Sequence, residues 1–361
     1  MGFEVDFLPV GDESKGGDAI ALRYGNLNGS RNDFKVAIID GGFAETGGEI
    51  VEHIKEFYGT SKVDTVVSTH PDNDHLGGLA TVLEKMVVGE LWMHLPWNHT
   101  KDVACIFKDG RVTDNSVRED LRESLDAACA LERLARKKNI PIREPFTGVC
   151  DLDGSLCVVG PTLEFYESLL PGFQGTPEPR ESRALGILAR VAAKADEVIK
   201  RVLENWNFET LTDDGETSAE NNTSVILLLR SDEKNLLFTA DAGIPALTKA
   251  ADILDTSGYD YTKYSFVQVP HHGSQRNVGP TILNRLLGPK LKEPEKQKSS
   301  FASVPKEGEP KHPAKKVTNA FLRRGAPVHV TGGAKKWHYL GAPDRGWSQS
   351  IPLPLYTEVE E

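Results

Sequence analysis

Between Thr69 and Gly78 the chain reads Thr-His-Pro-Asp-Asn-Asp-His-Leu-Gly-Gly, so four metal-binding side chains, His70, Asp72, Asp74 and His75, fall within six residues. Imidazole beside carboxylate suits zinc, manganese or iron better than calcium or magnesium alone. An apolar, β-branched run (63–69) precedes the cluster and a helix-like run (76–88) follows it. A strand that ends in such a loop and feeds a helix sets these groups at the carboxyl edge of a sheet, where α/β proteins build their sites.

Further polar groups fall at the ends of predicted strands: Asp40, Asp241, His271 and His272, with His312 opening a late helix. Their regular position suggests one polynuclear centre assembled from several loops. Hydrophobic periodicity predicts strands over 3–10, 18–24, 35–40, 63–69, 155–160, 223–230, 235–239, 264–269 and 327–331. It predicts helices over 49–58, 76–88, 121–138 (behind a capping-box pattern at 116–119), 163–170, 182–206, 244–254, 281–287 and 314–324. The stretch 90–96 is apolar and short, and 171–179 is a Pro- and Gly-rich loop. Residues 100–220 interrupt the strand-rich pattern with a helical block. We read that block as an insertion, or cap, within a single domain spanning 1–361.

Composition narrows the class. The chain has 361 residues, of which 39% are hydrophobic and 26% charged, as expected of a globular protein. No run approaches the roughly 18 apolar residues of a membrane span, and the start lacks the basic and apolar regions of a signal peptide. Cys105, Cys129, Cys150 and Cys157 show no CxxC spacing and read as reduced structural thiols, which together with the start points to the cytoplasm. The net charge of −11 argues against a surface that coats long nucleic acid. Residues 290–316 depart from it, with eight lysines against four glutamates. They read as a solvated loop or as a basic rim beside a phosphate site.

The motif His70-x-Asp72-x-Asp74-His75 resembles the HxHxDH signature of the metallo-β-lactamase superfamily, with Asp in place of the second His. That variant, Leu76-Gly77-Gly78 and His271-His272-Gly273-Ser274 resemble the hydrolase domain of the bacterial DNA-uptake protein ComEC and its free-standing relatives. Gly16-Gly17-Asp18-Ala19, Ile39-Asp40-Gly41-Gly42, Asn222-Thr223-Ser224, Thr239-Ala240-Asp241 and His312-Pro313 resemble further motifs of that group. The resemblance covers residues 3 to about 332, broken by 100–220.

It implies a four-layer αβ/βα sandwich holding two divalent ions, Zn²⁺ or Mn²⁺, with a single ion as the alternative. His70 and Asp72 would bind the first metal, Asp74 and His75 the second. Asp241 would bridge them, and one of His271 and His272 would complete the second site. No His precedes the 223–230 strand, so Asn221 or Asn222 takes the place of the first metal's third histidine. We take Asn222 as the candidate ligand. Asp40 and Asn221 would orient ligands by hydrogen bonds. A metal-activated hydroxide would do the chemistry. Asp74 and His312 are the candidate catalytic residues, His312 as proton donor to a leaving alkoxide, and Lys311 and Lys315 are candidate substrate contacts. The expected activity is phosphodiester hydrolysis of a nucleotide or short nucleic acid. The alternatives are hydrolysis of a carboxylic ester, lactone or amide, and a non-catalytic metal-binding interaction module. His94 and His99 read as packing or rim residues, His53 as solvated or half-buried, and His329 and His338 as structural.

Overall fold

In strand β1 (Gly2–Phe7), Phe3, Val5 and Phe7 alternate with Glu4 and Asp6, and every one of them is buried. Alternate residues of a strand face opposite sides of a sheet, so both faces of this sheet must be covered. The computed structural model, which describes residues 1–12, 15–101, 103–107, 111–176, 201–307 and 312–360, shows how.

The remaining strands in chain order are β2 (Ala19–Gly25), β3 (Phe34–Gly41), β4 (Lys62–Val67), β5 (Val87–Trp92), β6 (Ile142–Arg143), β7 (Leu156–Gly160) and β8 (Arg201–Leu203). They continue with β9 (Ile226–Ser231), β10 (Lys234–Phe238), β11 (Tyr264–Val267), β12 (Ser300–Ala302), β13 (Val328–Val330), β14 (Lys336–Leu340) and β15 (Glu358–Glu360). The helices are α1 (Thr46–Tyr58), α2 (Asn73–Leu76), α3 (Leu79–Lys85), α4 (Asp114–Ser124), α5 (Asp126–Lys137), α6 (Leu163–Leu169), α7 (Ala219–Asn222), α8 (Ile244–Thr256), α9 (Pro280–Leu287) and α10 (Lys315–Arg323).

The first sheet has the order β14-β1-β2-β3-β4-β5-β6 and the second β11-β10-β9-β7, extended past β11 by a bridge from Phe266 to Ser299 and by the parallel pair β12–β13. Phe3, Val5, Phe7, Ile20, Leu22 and Ile39 of the first sheet pack on Leu227, Leu229, Leu236, Phe238 and Phe266 of the second. The first sheet's outer face is covered by α1, α3 and α5 through Ile50, Ile54, Leu79, Leu83 and Leu131. The second sheet's is covered by α8, α9 and α10 through Leu247, Ala250, Leu283 and Phe321. This is the expected αβ/βα sandwich. Each fully buried Leu, Ile or Phe contributes roughly 1.5–3 kcal/mol to it. Glu4 and Asp6 face the helices, where Arg345 bonds both carboxylates, Arg23 bonds Glu4, and Tyr58 donates to Asp6 at 2.6 Å. His53 is buried in the same cluster rather than half-solvated, its Nε2 3.2 Å from Asp6.

Several expectations are corrected. The 76–88 helix breaks at Gly77-Gly78 into α2 and α3, because a Cβ on Gly78 would lie 2.2 Å from the Gly41 carbonyl, and 87–92 becomes β5. The 121–138 helix starts earlier and breaks at Leu125. Its cap is Thr113, whose hydroxyl accepts from the Ser116 N–H, so the capping box begins three residues before the one predicted. Of the predicted 182–206 helix, 182–200 lie outside the described residues and 201–203 form β8, paired with β15. Within 100–220, β6 joins the first sheet and β7 the second, so the described part of this segment is not purely helical.

The reading of four reduced thiols fails at Cys150 and Cys157, which form a disulfide. The Asp151 carboxylate accepts from the Ser155 and Leu156 N–H groups, and this turn folds the chain back until the two cysteines face each other as antiparallel partners. Among the described residues no helix is long and apolar enough to cross a membrane.

Candidate functional site

The carboxyl ends of β3 and β4 and the loops after β10 and β11 meet at one edge of the sandwich. There the backbone is unusual: Asp40, Ala240, His271 and His272 all have φ between 43° and 61°, a left-handed conformation that costs a non-glycine residue free energy. The turns aim four imidazoles at one carboxylate. Asp241 Oδ2 lies 3.5 Å from His271 Nε2 and 3.9 Å from His70 Nε2. Asp241 Oδ1 lies 3.4 Å from His75 Nε2 and 3.9 Å from His272 Nε2.

The surrounding contacts fix the rings. Asp40 Oδ1 accepts from the Thr69 N–H at 2.8 Å, and Oδ2 accepts from the Thr69 hydroxyl at 2.6 Å. The same Oδ2 is 2.8 Å from His75 Nδ1. Asp40 thus holds a His75 proton on Nδ1, so that Nε2 is the nitrogen turned toward Asp241. The Thr69 hydroxyl also lies 3.0 Å from His70 Nδ1. Asn221 meets His271 Nδ1 at 3.0 Å, and the amide orientation whose carbonyl accepts from Nδ1–H presents the Nε2 lone pair to Asp241. Asn277 Nδ2 donates to the Asp241 carbonyl at 2.8 Å, anchoring the central residue.

Electrostatics follow from this packing. Burial opposes ionisation of Asp241, yet His271, His75 and His272 hold its carboxyl well below the usual range. Burial likewise disfavours the charged form of His75, but Asp241 and Asp40 push its pKa well above the ordinary value. Burial raises the Asp18 carboxyl. Asp72 is lowered, because His70 outweighs its desolvation.

Six buried atoms of this cluster lack a hydrogen-bond partner among the described residues: His70 Nε2, His75 Nε2, both ring nitrogens of His272, Asp18 Oδ1 and Asp241 Oδ1. At about 1–3 kcal/mol for each unsatisfied buried group, their sum rivals a whole domain's stability of about 5–15 kcal/mol. Convergent lone pairs of His and Asp are what divalent cations of the zinc and manganese type require, so the donor set fits a metal centre. Ligand atoms of Asp74, His75 and His272 lie within 4.8 Å of one another, as do those of Asp18, His75 and Asp241 and those of Asp40, His70 and His75.

The remaining predicted residues are placed as follows. Asp72 Oδ2 is 3.6 Å from His70 Nε2, and Asp74 Oδ2 is 4.0 Å from His75 Nε2. Asn222 donates from Nδ2 to the Ser218 carbonyl, and its buried Oδ1 has no hydrogen-bond partner among the described residues. The exposed His312 ring lies parallel to His271, centroids 6.4 Å apart. Lys315 sets its ammonium 5.3 Å from the Tyr356 ring centroid, while its N–H donates to Glu360. Lys311 lies outside the described residues. His94 packs on Phe146 and Tyr166, with His99 between Glu144 and Glu167.

Sequence reading missed Asp18 as a member of the cluster and Gln268 as its support. Gln268 Nε2 donates to Asp18 Oδ2 at 2.7 Å, and its Oε1 accepts from the Thr239 and Ala240 N–H groups. The signal was present, since Asp18 follows Gly16-Gly17 and directly precedes β2 at this edge.

Residues 31–113 match the model of the Metallo-beta-lactamase superfamily, a stretch that holds Asp40 and the 70–75 cluster. No curated protein sequence matches the chain. Among solved structures it is similar to a diphosphatase of the PhnP family (10% identity, 94% of this chain and 98% of that one, TM-score 0.41). It is also similar to the E377D mutant of the CmlA β-hydroxylase (11% identity, 94% and 54%, TM-score 0.42). A third likeness is to a Thermotoga maritima protein assigned to the metallo-beta-lactamases (11% identity, 72% and 93%, TM-score 0.35). None of these likenesses bears on the substrate.

Proposed function

We propose that this chain, which carries a metallo-β-lactamase superfamily segment over residues 31–113, is a metal-dependent hydrolase of phosphodiester bonds. The observation that carries the reading is the division of four imidazoles between the two oxygens of Asp241. It supports two adjoining cation positions. His70, Asp72 and His271 would hold one ion on the Oδ2 side, and Asp74, His75 and His272 the other on the Oδ1 side. His271 would then supply the histidine missing before β9, the place considered for Asn221 or Asn222, and both members of the His-His pair would be ligands.

Bound divalent ions supply an ionised water near neutral pH and neutralise charge on the attacked group. The protein's own residues do the rest. Asp40 and Thr69 keep His75 and His70 from rotating, and Asn221 does so for His271. Asp72 makes the site more anionic than a third imidazole would, which favours harder ions such as Mn²⁺ and oxygen-rich substrates. His312, whose ring lies parallel to His271 at 6.4 Å, would deliver a proton to the departing oxygen. An anionic phosphodiester would be favoured by the bound cations, which would offset the charge on its non-bridging oxygens.

The test is turnover of bis-p-nitrophenyl phosphate against p-nitrophenyl acetate with Mn²⁺ or Zn²⁺. Faster phosphodiester cleavage, lost in Asp241→Asn, is expected. Acetate cleavage alone would give the site to carboxylic esters. Stoichiometric metal with neither activity would make it a binding module.

A further inference from the structure

A groove of about 830 Å³ lies away from the candidate metal cluster. It runs between the β13–β14 turn and the extended tail, lined by Thr331, Lys335, Lys336, Trp347, Gln349 and Ser350 among others. Its volume lies within the range of small-molecule and cofactor sites. No carboxylate lines it, although the chain as a whole carries −11.

Register places the groove on the same edge as the candidate centre. Lys336 pairs with Phe7, Phe7 with Ile20, and Ile20 with Ile39, the residue before Asp40. Three interstrand steps of about 4.8 Å put the groove about 14 Å from the end of β3. At the 3.4 Å rise per nucleotide of a helical strand, that is roughly four phosphates.

The lining chemistry is specific. Lys336 is half-buried and makes no ion pair among the described residues, and desolvation lowers its pKa. Lys335 sets its ammonium 5.4 Å from the Phe57 ring centroid. Trp347 presents an indole braced by Phe57 and Arg345. Ser348 and Gln349 add a hydroxyl and an amide, whereas the Thr331 hydroxyl donates to the Val304 carbonyl and the Ser350 hydroxyl meets His329 Nδ1. The field of Lys296 reaches His329 and His338 beside the groove. Cations for phosphates together with a braced aromatic face for a base are the elements of a single-strand nucleic-acid site.

We propose that this groove binds the distal part of a single-stranded nucleic-acid substrate, about four nucleotides from the bond held at the metal cluster. Lys335 and Lys336 would take phosphates and Trp347 would stack a base. The inference rests on the phosphodiesterase reading and extends it to a polymeric substrate.

The experiment measures binding of a fluorescein-labelled phosphorothioate oligothymidylate of about ten nucleotides, a length within the 4–16 nucleotides of single-strand sites, to the full-length, metal-loaded protein over a range of salt concentrations. Each phosphate contact contributes about 0.7 to the log–log salt slope for single strands. Lys335→Ala/Lys336→Ala should therefore flatten the slope by about 1.4, and Trp347→Ala should weaken binding at least about fivefold through lost stacking. Oligonucleotide binding with an unchanged slope in the double lysine variant, or no binding to the wild type, overturns the proposal. Bis-p-nitrophenyl phosphate turnover in the same samples, a substrate too short to reach the groove, separates this failure from failure of the phosphodiesterase reading.

Discussion

Asp40→Asn tests whether the site is held in shape by one buried carboxylate. Asp40 is fully buried and accepts three hydrogen bonds, from the Thr69 N–H, the Thr69 hydroxyl and His75 Nδ1. An amide of the same shape keeps one acceptor oxygen and turns an NH₂ toward groups that themselves donate. Hydrogen bonds to a charged group contribute about 1.5–3 kcal/mol each. Loss of one, with weakening of a second, should therefore cost about 2–5 kcal/mol. The His75 tautomer would no longer be fixed, and removing such an orienting partner typically costs about 10–100-fold in metal affinity. Thr69→Val is the companion variant, since it removes only the hydroxyl and should cost about 1–2 kcal/mol. Urea unfolding of the metal-free proteins gives the first quantity, and competitive chelator titration with Zn²⁺ or Mn²⁺ gives the second. Asp40→Asn with wild-type metal affinity would refute the orienting role, whatever its stability. A stability loss equal to that of Thr69→Val would show that the His75 contact contributes nothing.

Two further outcomes follow from buried charge elsewhere. Burial lowers His94 from the ordinary 6.5 to about 3, and lowers His329 and His338 to about 4 each. Below pH 6.5 the unfolded chain takes up these protons and the native chain does not, so stability falls as pH falls from 6.5 toward 3–4. His94 alone should account for roughly 2 kcal/mol between pH 6.5 and 5. His94→Leu should flatten the urea-midpoint profile in that window, and an unchanged slope would count against a buried neutral imidazole. Arg323 and Glu204 form a 2.8 Å pair with both side chains fully buried, and Arg323 also donates to three carbonyls. Arg323→Met strands the Glu204 carboxylate and should destabilise by about 3–5 kcal/mol. Adding Glu204→Gln should recover part of that loss in the same unfolding assay.

The legible parts of this fold and site are those written in short stretches of sequence. β4 could be read because Val63, Val66 and Val67 are β-branched, and they are buried, and the loop after it because its candidate ligands are adjacent. Asp40 and Asp241 were readable as polar residues closing apolar strands. What sequence did not show depends on long-range partners. Asp18 joins the cluster through Gln268, 250 residues away. The assignment of His271 and His272 to opposite oxygens of Asp241 depends on two successive left-handed residues. The Cys150–Cys157 pair depends on a turn set by Asp151. His94 was correctly read as packing, but its complete burial between two aromatic rings was not visible in its neighbours. The basic segment at 290–316 was noticed as a charge run, whereas the groove uses Lys335 and Lys336 from β14 and the turn before it, where no run exists.

The same edge that gathers the candidate ligands also gathers the strain, and the two can be separated by His272. Each non-glycine residue in a sparsely populated backbone region costs about 1–3 kcal/mol, and Asp40, Ala240, His271 and His272 lie together there. His272 adds two buried ring nitrogens without partners. Asparagine tolerates the left-handed conformation better than most residues, and His272→Asn removes the ring. The metal-free variant should therefore be more stable than the metal-free wild type by about 1 kcal/mol, the usual scale of relief at a strained functional position. Saturating Zn²⁺ should reverse the order, because ligand binding stabilises only the protein that retains the site. Thermal melts with and without metal decide it. If His272→Asn is less stable than wild type in both conditions, the ring is a packing element and the strain at this edge is not maintained for metal binding.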